Sequence, residues 1–248
     1  MGDSLAGLVL AAGAGARMRP LSRLRPKPLL PFTNTTLVDH AIARVRSATS
    51  AVAVNVHHHR DQMEAHLGAR VHLSVEDRAG LGTAGAVSHL RSWSDGRDLL
   101  VVNSDTWCPG DLGDLATSWD RERVRLVVAG RPELEPTSRI VASFLPGGVV
   151  ESLPPGPAGL YEVCWRPEAE AGRLEVVGWH GPIVDCATPR DYLTANLLAA
   201  RGHSVVGTGA VVEGRIERCV VWPGARVAPS EVLVDAVRTD RGVTVLIR

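Results

Sequence analysis

Leu5-Ala6-Gly7-Leu8-Val9-Leu10-Ala11-Ala12, running into Gly13-Ala14-Gly15-Ala16-Arg17-Met18-Arg19-Pro20, is the stretch that decides the fold. Its first eight residues form an unbroken apolar run of strand length, as expected of a strand covered on both faces of a parallel sheet. Downstream, Thr36–Ala41 opens a helix with Leu37, Ala41 and Val45 on one face. Ala51–Val56 reads as a second strand, and Asp61-Gln62-Met63-Glu64 is a capping-box pattern for a short helix ending near Gly68. A strand at Val71–Val75, a glycine-rich turn and a helix over Ala84–Leu90 follow. Asp98–Val102 is a strand, Asp111–Trp119 a helix and Val124–Ala129 another strand. This alternation predicts an α/β fold: a Rossmann-like, doubly wound, mainly parallel sheet with its ligands at the carboxyl ends of the strands.

From Arg131 onward the pattern loosens. Leu145-Pro146-Gly147-Gly148 reads as a hairpin turn between two short strands, Pro154-Pro155-Gly156-Pro157 as a rigid loop, and Gly159–Trp165 and Leu174–Trp179 as strands. Thr188-Pro189-Arg190-Asp191 is a helix cap with proline at the first helical position, and the helix runs through Tyr192, Ala195 and Leu198 until Gly202 stops it. Beyond Gly202, Val206, Val212, Ile216, Val221, Val227 and Leu233 recur at short intervals, with Gly207, Gly209, Gly214, Pro223 and Gly224 between them. That is an irregular hexapeptide-like repeat, the signal of a left-handed β-helix. So few coils do not stand alone. The expected division is therefore a main domain of residues 1–202 and a short β-helix-like appendage, 203–248, packed on the main domain or joining copies into a homo-oligomer.

Charge and composition narrow the partners. The 248 residues carry 27 Lys+Arg against 27 Asp+Glu, so no broad basic field exists for a nucleic acid. No apolar run reaches membrane-spanning length and the N-terminus lacks a basic leader region, so a cytoplasmic protein is expected. Cys108, Cys164, Cys186 and Cys219 are scattered, as buried free thiols would be. Lys27 is the one lysine among the 27 basic residues, which marks a position where guanidinium does not serve.

The loop after the first strand fits neither common glycine motif. A P-loop needs Gly-Lys-Ser/Thr, which is absent. A dinucleotide fingerprint needs a third glycine where Met18 stands and an acid near the end of the second strand, where Asn55 stands. Pro20, Pro26, Pro28 and Pro31 forbid a regular helix. What remains is a long extended loop bearing Arg17, Arg19, Arg23, Arg25 and Lys27. Glycine-turn amides beside so many cations suit a triphosphate. His57-His58-His59 alternates faces on an extended segment, which disfavours a shared metal ion.

Gly13-Ala14-Gly15-Ala16-Arg17-Met18-Arg19-Pro20-Leu21-Ser22 with Pro26-Lys27-Pro28 resembles the N-terminal signature of sugar-1-phosphate nucleotidyltransferases. The similarity continues in order through Val54-Asn55-Val56-His57-His58, Gly82-Thr83-Ala84-Gly85-Ala86, Asn103-Ser104-Asp105 and Asp185-Cys186-Ala187-Thr188-Pro189. It implies Mg²⁺-dependent transfer of a nucleotidyl group from an NTP to a sugar-1-phosphate or sugar-like phosphate, releasing pyrophosphate. It further implies Arg17 and Lys27 as catalytic cations and Asp105 and Asp185 as metal ligands. Ala11, Ala12, Gly13, Gly15, Asn55, His57, Gly82 and Thr83 fall on the nucleotide, and Asn103, Glu151 and Gly159 on the acceptor. Glu76 stands within plausible reach of the base. Ala16, Ser104 and Ala187 depart from the family pattern, and its Glu-Lys-Pro segment is missing. An unusual acceptor, such as a cyclitol phosphate or a phosphonate for a cytidylyltransferase, stays open. So does a non-catalytic nucleotide-sensing or scaffold subunit that kept the fold.

Overall fold

The computed structural model describes residues 4–76 and 80–247. The chain forms two compact units. The first comprises Met1–Gly13, Ala41–Ser104 and Cys108–Ile183; the second comprises Ala14–His40, Asp105–Trp107 and Val184–Arg248. That line differs from the expected boundary at residue 202.

The first unit is built on a seven-stranded sheet in the order Leu174–Trp179, Val124–Ala129, Ile140–Leu145, Asp98–Asn103, Leu5–Leu10, Val52–Val56, His72–Val75. Every pairing is parallel except the two made by Ile140–Leu145. Leu5–Leu10 is apolar throughout because the sheet buries it on both faces; Leu8 and Val9 are fully covered. Its neighbours lie on opposite sides, so the crevice expected at a change of strand order falls at its carboxyl end. There Leu10 stands level with Asn55 on one side and Asn103 on the other.

Three local expectations give way. The chain after Leu145 forms a helix, Gly147–Ser152, instead of a hairpin strand. Ile140–Leu145 already pairs on both edges, so a returning strand has nowhere to bond. A Cβ at Gly147 would meet the Gly96 carbonyl oxygen at 2.2 Å, so glycine is what allows the helix to start there. Gly159–Trp165 is not a strand either: Tyr161–Trp165 is a π-helical turn continuing into the helix Arg166–Glu170. The buried residues Leu160 and Cys164 are four apart, a helical spacing that a short apolar run conceals. The helix Arg60–Leu67 begins on His59 at φ +56° with no side-chain cap; an Arg60–Glu64 pair at 2.6 Å stands where a capping box is expected.

The second unit starts with three single 3₁₀ turns, Ala16–Met18, Leu21–Arg23 and Lys27–Leu29. The prolines do exclude a regular helix, but the segment is coiled rather than extended, because proline is tolerated in a first turn. The capping box at Thr188 forms as expected: Thr188 Oγ1 accepts from the Asp191 amide, and Asp191 accepts from the Thr188 amide at 2.8 Å. It opens the helix Pro189–Ala199. Beyond it, Val205–Val206, Arg215–Val221 and Val232–Arg238 pair in parallel, with Thr244–Leu246 antiparallel at the edge. Val205 pairs with Val220, and in a second small sheet Val211 pairs with Arg226. One apolar cluster joins Met18, Leu21, Phe32, Trp107, Tyr192, Trp222 and Val237, so the C-terminal strands share a core with the N-terminal turns. Among the described residues no helix is long and apolar enough to cross a membrane.

Candidate active site

In the first unit the backbone leaving Leu10 is held by a buried polar relay. The Ala11 amide donates to Asn55 Oδ1 at 2.6 Å, and Asn55 Nδ2 donates to Glu76 Oε1 at 2.7 Å. Glu76 Oε2 accepts the Leu81 amide at 3.1 Å, and the Glu76 carbonyl lies 2.7 Å from His57 Nδ1. Asn55 is 3% exposed and Glu76 4%, so each polar atom needs such a partner. Asn55, expected on the nucleotide, is turned inward and fixes the loop that would carry it. Asn55→Leu should cost ~1–3 kcal/mol for each group it orphans; urea unfolding will show it as a lower midpoint.

The turn at Gly82 is pinned in the same way. Gly82 adopts φ +69°, and a Cβ there would lie 2.5 Å from the Ala158 carbonyl oxygen. Ala158 accepts the Ala84 amide and donates to the Leu81 carbonyl, both at 2.9 Å, and Thr83 Oγ1 accepts the Leu160 amide at 2.8 Å. Thr83 therefore holds the turn, and Gly82 is required where the Ala158 backbone approaches it.

A cavity of about 160 Å³ opens at the carboxyl end of Asp98–Asn103, lined by Thr83, Asn103, Gly159, Tyr161, Glu162 and Trp165 among others. Asn103 and Gly159, two of the residues the resemblance puts on the acceptor, both border this cavity. A Cβ at Gly159 would come within 2.1 Å of Glu162 Oε2, so the glycine makes room for that carboxylate. Trp165 Nε1 donates to Ser143 Oγ at 3.1 Å. Tyr161, Glu162 and Trp165 are concealed in the sequence, where their segment reads as a strand. Glu151 is not here. It is exposed on the helix that follows Leu145, and Leu145 pairs with Leu99, at the amino end of the strand whose carboxyl end is Asn103. An antiparallel strand carries its successor to the opposite edge of the sheet.

The second unit gathers the charged residues. Gly15, at φ +61°, lies so close to Lys27 that a Cβ would stand 3.0 Å from Lys27 Cβ. Its carbonyl accepts from Ser22 Oγ at 2.7 Å and from the Met18 amide at 3.0 Å. Met18 is fully buried, which leaves Arg17 and Arg19 outside. Lys27 Nζ is ion-paired with Asp105 Oδ2. Asp105 precedes the short strand Thr106–Trp107, which pairs antiparallel with Val184–Asp185. Thr106 Oγ1 donates to Asp185 Oδ1 at 2.6 Å, and the Cys186 amide donates to the Asp105 carbonyl at 2.8 Å. One two-stranded ribbon thus brings Lys27, Asp105 and Asp185 together across long sequence separations.

The five loop cations divide by role. Arg17, Arg19 and Arg23 are exposed, and Arg17 makes no ion pair among the described residues. Lys27 is tied to a carboxylate of the ribbon, and Arg25 is bound to Asp240 at 3.0 Å. All four cysteines are buried, and none forms a disulfide among the described residues. Burial, then the Asp105 charge, pushes the Cys186 thiol up, and burial pushes Cys164 up to about 12, so neither offers a thiolate near neutral pH.

For a hard divalent cation the donor set is two carboxylates. Asp105 spends one oxygen on Lys27 and Asp185 one on Thr106, and the other oxygen of each makes no hydrogen bond among the described residues. No group of three or more His, Cys, Asp or Glu side chains is gathered for a metal among the described residues. Two carboxylates suit Mg²⁺, which keeps waters and phosphate oxygens as its remaining ligands.

The profile of the nucleotidyl transferase family matches residues 6–140, more than half of the chain. The chain belongs to that family. The match covers the first strand, the glycine loop, Lys27, the Gly82 turn and Asp105. Over 130 residues the chain is 36% identical to the N-acetylmuramate alpha-1-phosphate uridylyltransferase of Caulobacter vibrioides, covering 47% of this chain and 54% of that protein. Over 117 residues it is 32% identical to a mannose-1-phosphate guanylyltransferase catalytic subunit beta of Dictyostelium discoideum, covering 44% and 32%. This family member thus spans about half the length of the first and a third of the second. A crystal structure described as a glucose-1-phosphate thymidylyltransferase of Bacillus anthracis superposes with a TM-score of 0.70 at 18% identity, over 79% of this chain and 95% of that one. That likeness establishes the nucleotidyltransferase fold.

Proposed function

We propose that the protein is an enzyme that transfers a nucleotidyl group from an NTP to a sugar-1-phosphate or sugar-like phosphate. An acceptor phosphate oxygen forms the new bond to the α-phosphorus, the bond from that phosphorus to the bridging oxygen breaks, and pyrophosphate leaves with the electron pair. The observation that carries this reading is the unbroken line of contacts from Gly15 to Lys27, Lys27 to Asp105, and along the ribbon to Asp185. Such a reaction brings two anions together in line, and its catalysis is largely positioning and charge stabilisation.

The roles follow from the side chains. Amides from Ala11 to Gly15 receive the triphosphate, and Gly82 lets the base approach the backbone. Arg17, which makes no ion pair among the described residues and carries a planar fork, takes the β- and γ-phosphates and stabilises the departing pyrophosphate. Lys27, a compact charge, takes the α-phosphate and the incoming acceptor phosphate. Asp105 and Asp185 would hold Mg²⁺, which supplies positive charge to the phosphate oxygens when bound. Asn103 and Gly159 are read as acceptor residues, and with Glu162 they border one cavity of the first unit. The parallel short strands after Gly202 support a small β-helix-like stack there.

Pyrophosphate release with Mg²⁺, measured across five nucleoside triphosphates and a panel of sugar, cyclitol and phosphonate acceptors, tests the proposal. One productive pair establishes the reaction, and NTP binding without release across the panel counts for the sensing subunit. In the productive assay Arg17→Lys should lower kcat about tenfold or more, because a point charge does not reproduce the bidentate fork. Unchanged kcat would place Arg17 outside the site.

A further inference from the structure

We propose that the C-terminal segment positions Lys27: Trp222, Tyr192 and Asp240 clamp both flanks of Arg25–Pro31, and turnover depends on them although none is assigned to a substrate. The proposal rests on the reading of Lys27 as the lysine of the transfer.

Lysine is a poor choice where placement matters, since its charge ends a flexible four-carbon stem. Pro26 and Pro28 stiffen the backbone around it, and the turn closes through hydrogen bonds from the Leu29 amide to the Pro26 carbonyl at 2.9 Å and from the Leu30 amide to the Lys27 carbonyl at 3.1 Å. Those features fix the shape of the turn but not where it sits. Its place is set by its two flanks. On the amino side, the Arg25 guanidinium lies 5.2 Å from the Trp222 ring centroid and bonds Asp240 Oδ2 at 3.0 Å. On the carboxyl side, Tyr192 Oη donates to the Pro31 carbonyl and accepts from Trp222 Nε1 at 3.1 Å. A third tie, from the Thr33 amide to Asn196 Oδ1 at 2.9 Å, lies just beyond.

Trp222 therefore serves both flanks at once, its ring under Arg25 and its N–H on Tyr192. Trp222 and Tyr192 are completely buried, so these hydrogen bonds have no water to replace them. Burial also pushes the Tyr192 phenol well up, which keeps the proton it donates to Pro31. Simple core packing would call for apolar side chains of similar size. Instead the interior carries a directed polar chain that ends on the lysine's segment. Displacement of a catalytic group by about 1 Å can cost on the order of a hundredfold in rate, so loosening either flank should register in kcat.

The test uses the full chain with Trp222→Phe, Tyr192→Phe and Asp240→Asn, and with Val232→Ser, an exposed position of the same segment, as control. All are assayed well below their melting temperatures, and amide hydrogen exchange is followed in parallel. Trp222→Phe and Tyr192→Phe should lower kcat about ten- to hundredfold, leave the KM for NTP within about twofold, and speed exchange at Leu29 and Leu30 but not along Leu5–Leu10. Asp240→Asn, an exposed pair that does not threaten folding, should give a smaller fall in kcat that high salt reproduces in the unsubstituted protein. Val232→Ser should change nothing. Lower melting temperatures with kcat and Leu29–Leu30 exchange unmoved would overturn the proposal and leave a packing role. If no acceptor is turned over by the unsubstituted protein, the transfer reading fails, and exchange still decides the clamp: faster exchange at Leu29–Leu30 upholds it and unchanged exchange overturns it.

Discussion

Lys27→Ala should reduce turnover about a hundred- to thousandfold, the cost of removing one charge aimed at the reacting phosphates, while the fold stays intact. Alanine keeps the Cβ that comes nearest to Gly15, so the close approach of the glycine turn to residue 27 is preserved. Asp105 loses its ion pair, but its side chain is 31% exposed and water takes the place of the ammonium. A partly solvated pair of this kind adds little to stability, so the urea midpoint should move only slightly. Lys27→Arg should also fail to restore normal turnover, because the planar guanidinium is larger and is fitted to bidentate contacts. Pyrophosphate release at saturating NTP and acceptor, with circular dichroism as the folding control, settles the matter. Turnover within about threefold of the unsubstituted protein would remove Lys27 from the chemistry and, with it, the reason for clamping its segment.

The parts of this site legible in the sequence are those that local chemistry dictates. An apolar run of strand length marks Leu5–Leu10, proline and glycine exclude a regular helix from residues 13 to 31 though not the single 3₁₀ turns found there, and Thr188 with Asp191 spells a cap that forms. The isolated lysine between two prolines stands out for the same reason. What sequence does not carry is the level at which a strand ends and which edge the next segment reaches. The resemblance puts Glu151 on the acceptor, yet one antiparallel strand takes it to the far end of the sheet. Glu162 is hidden because a π-helical turn and a short strand look alike over five residues. Asn55 has the right polar group at the right strand end, but only the burial of Glu76 beside it reveals that the amide points inward. The C-terminal segment shows the same limit on a larger scale: its spacing suggests an appendage packed on the main domain or on another copy but does not say against what, whereas Trp222 and Tyr192 join it to a loop more than 160 residues earlier.

Asp185→Asn should raise the Mg²⁺ concentration for half-maximal turnover about tenfold or more, since Mg²⁺ held by two carboxylates loses half of their charge. The substitution is nearly silent structurally. The amide that replaces the carboxylate would still present a carbonyl oxygen to Thr106 Oγ1, and the backbone pairing of Asp185 with Thr106 does not involve the side chain. Asp105→Asn is a different experiment, because it also strips Lys27 of its partner. It should therefore lower kcat even at saturating Mg²⁺, whereas Asp185→Asn should recover most of its turnover there. Mn²⁺ binding in the presence of a non-hydrolysable NTP, followed by electron paramagnetic resonance, gives a readout that needs no turnover; both substitutions should weaken it. If the Asp185→Asn titration and the Mn²⁺ affinity match those of the unsubstituted protein, Asp185 is a ribbon residue held by Thr106 and not a ligand. In that case Asp105 alone would have to serve both the lysine and the metal, and the line of contacts from Gly15 would end at Asp105.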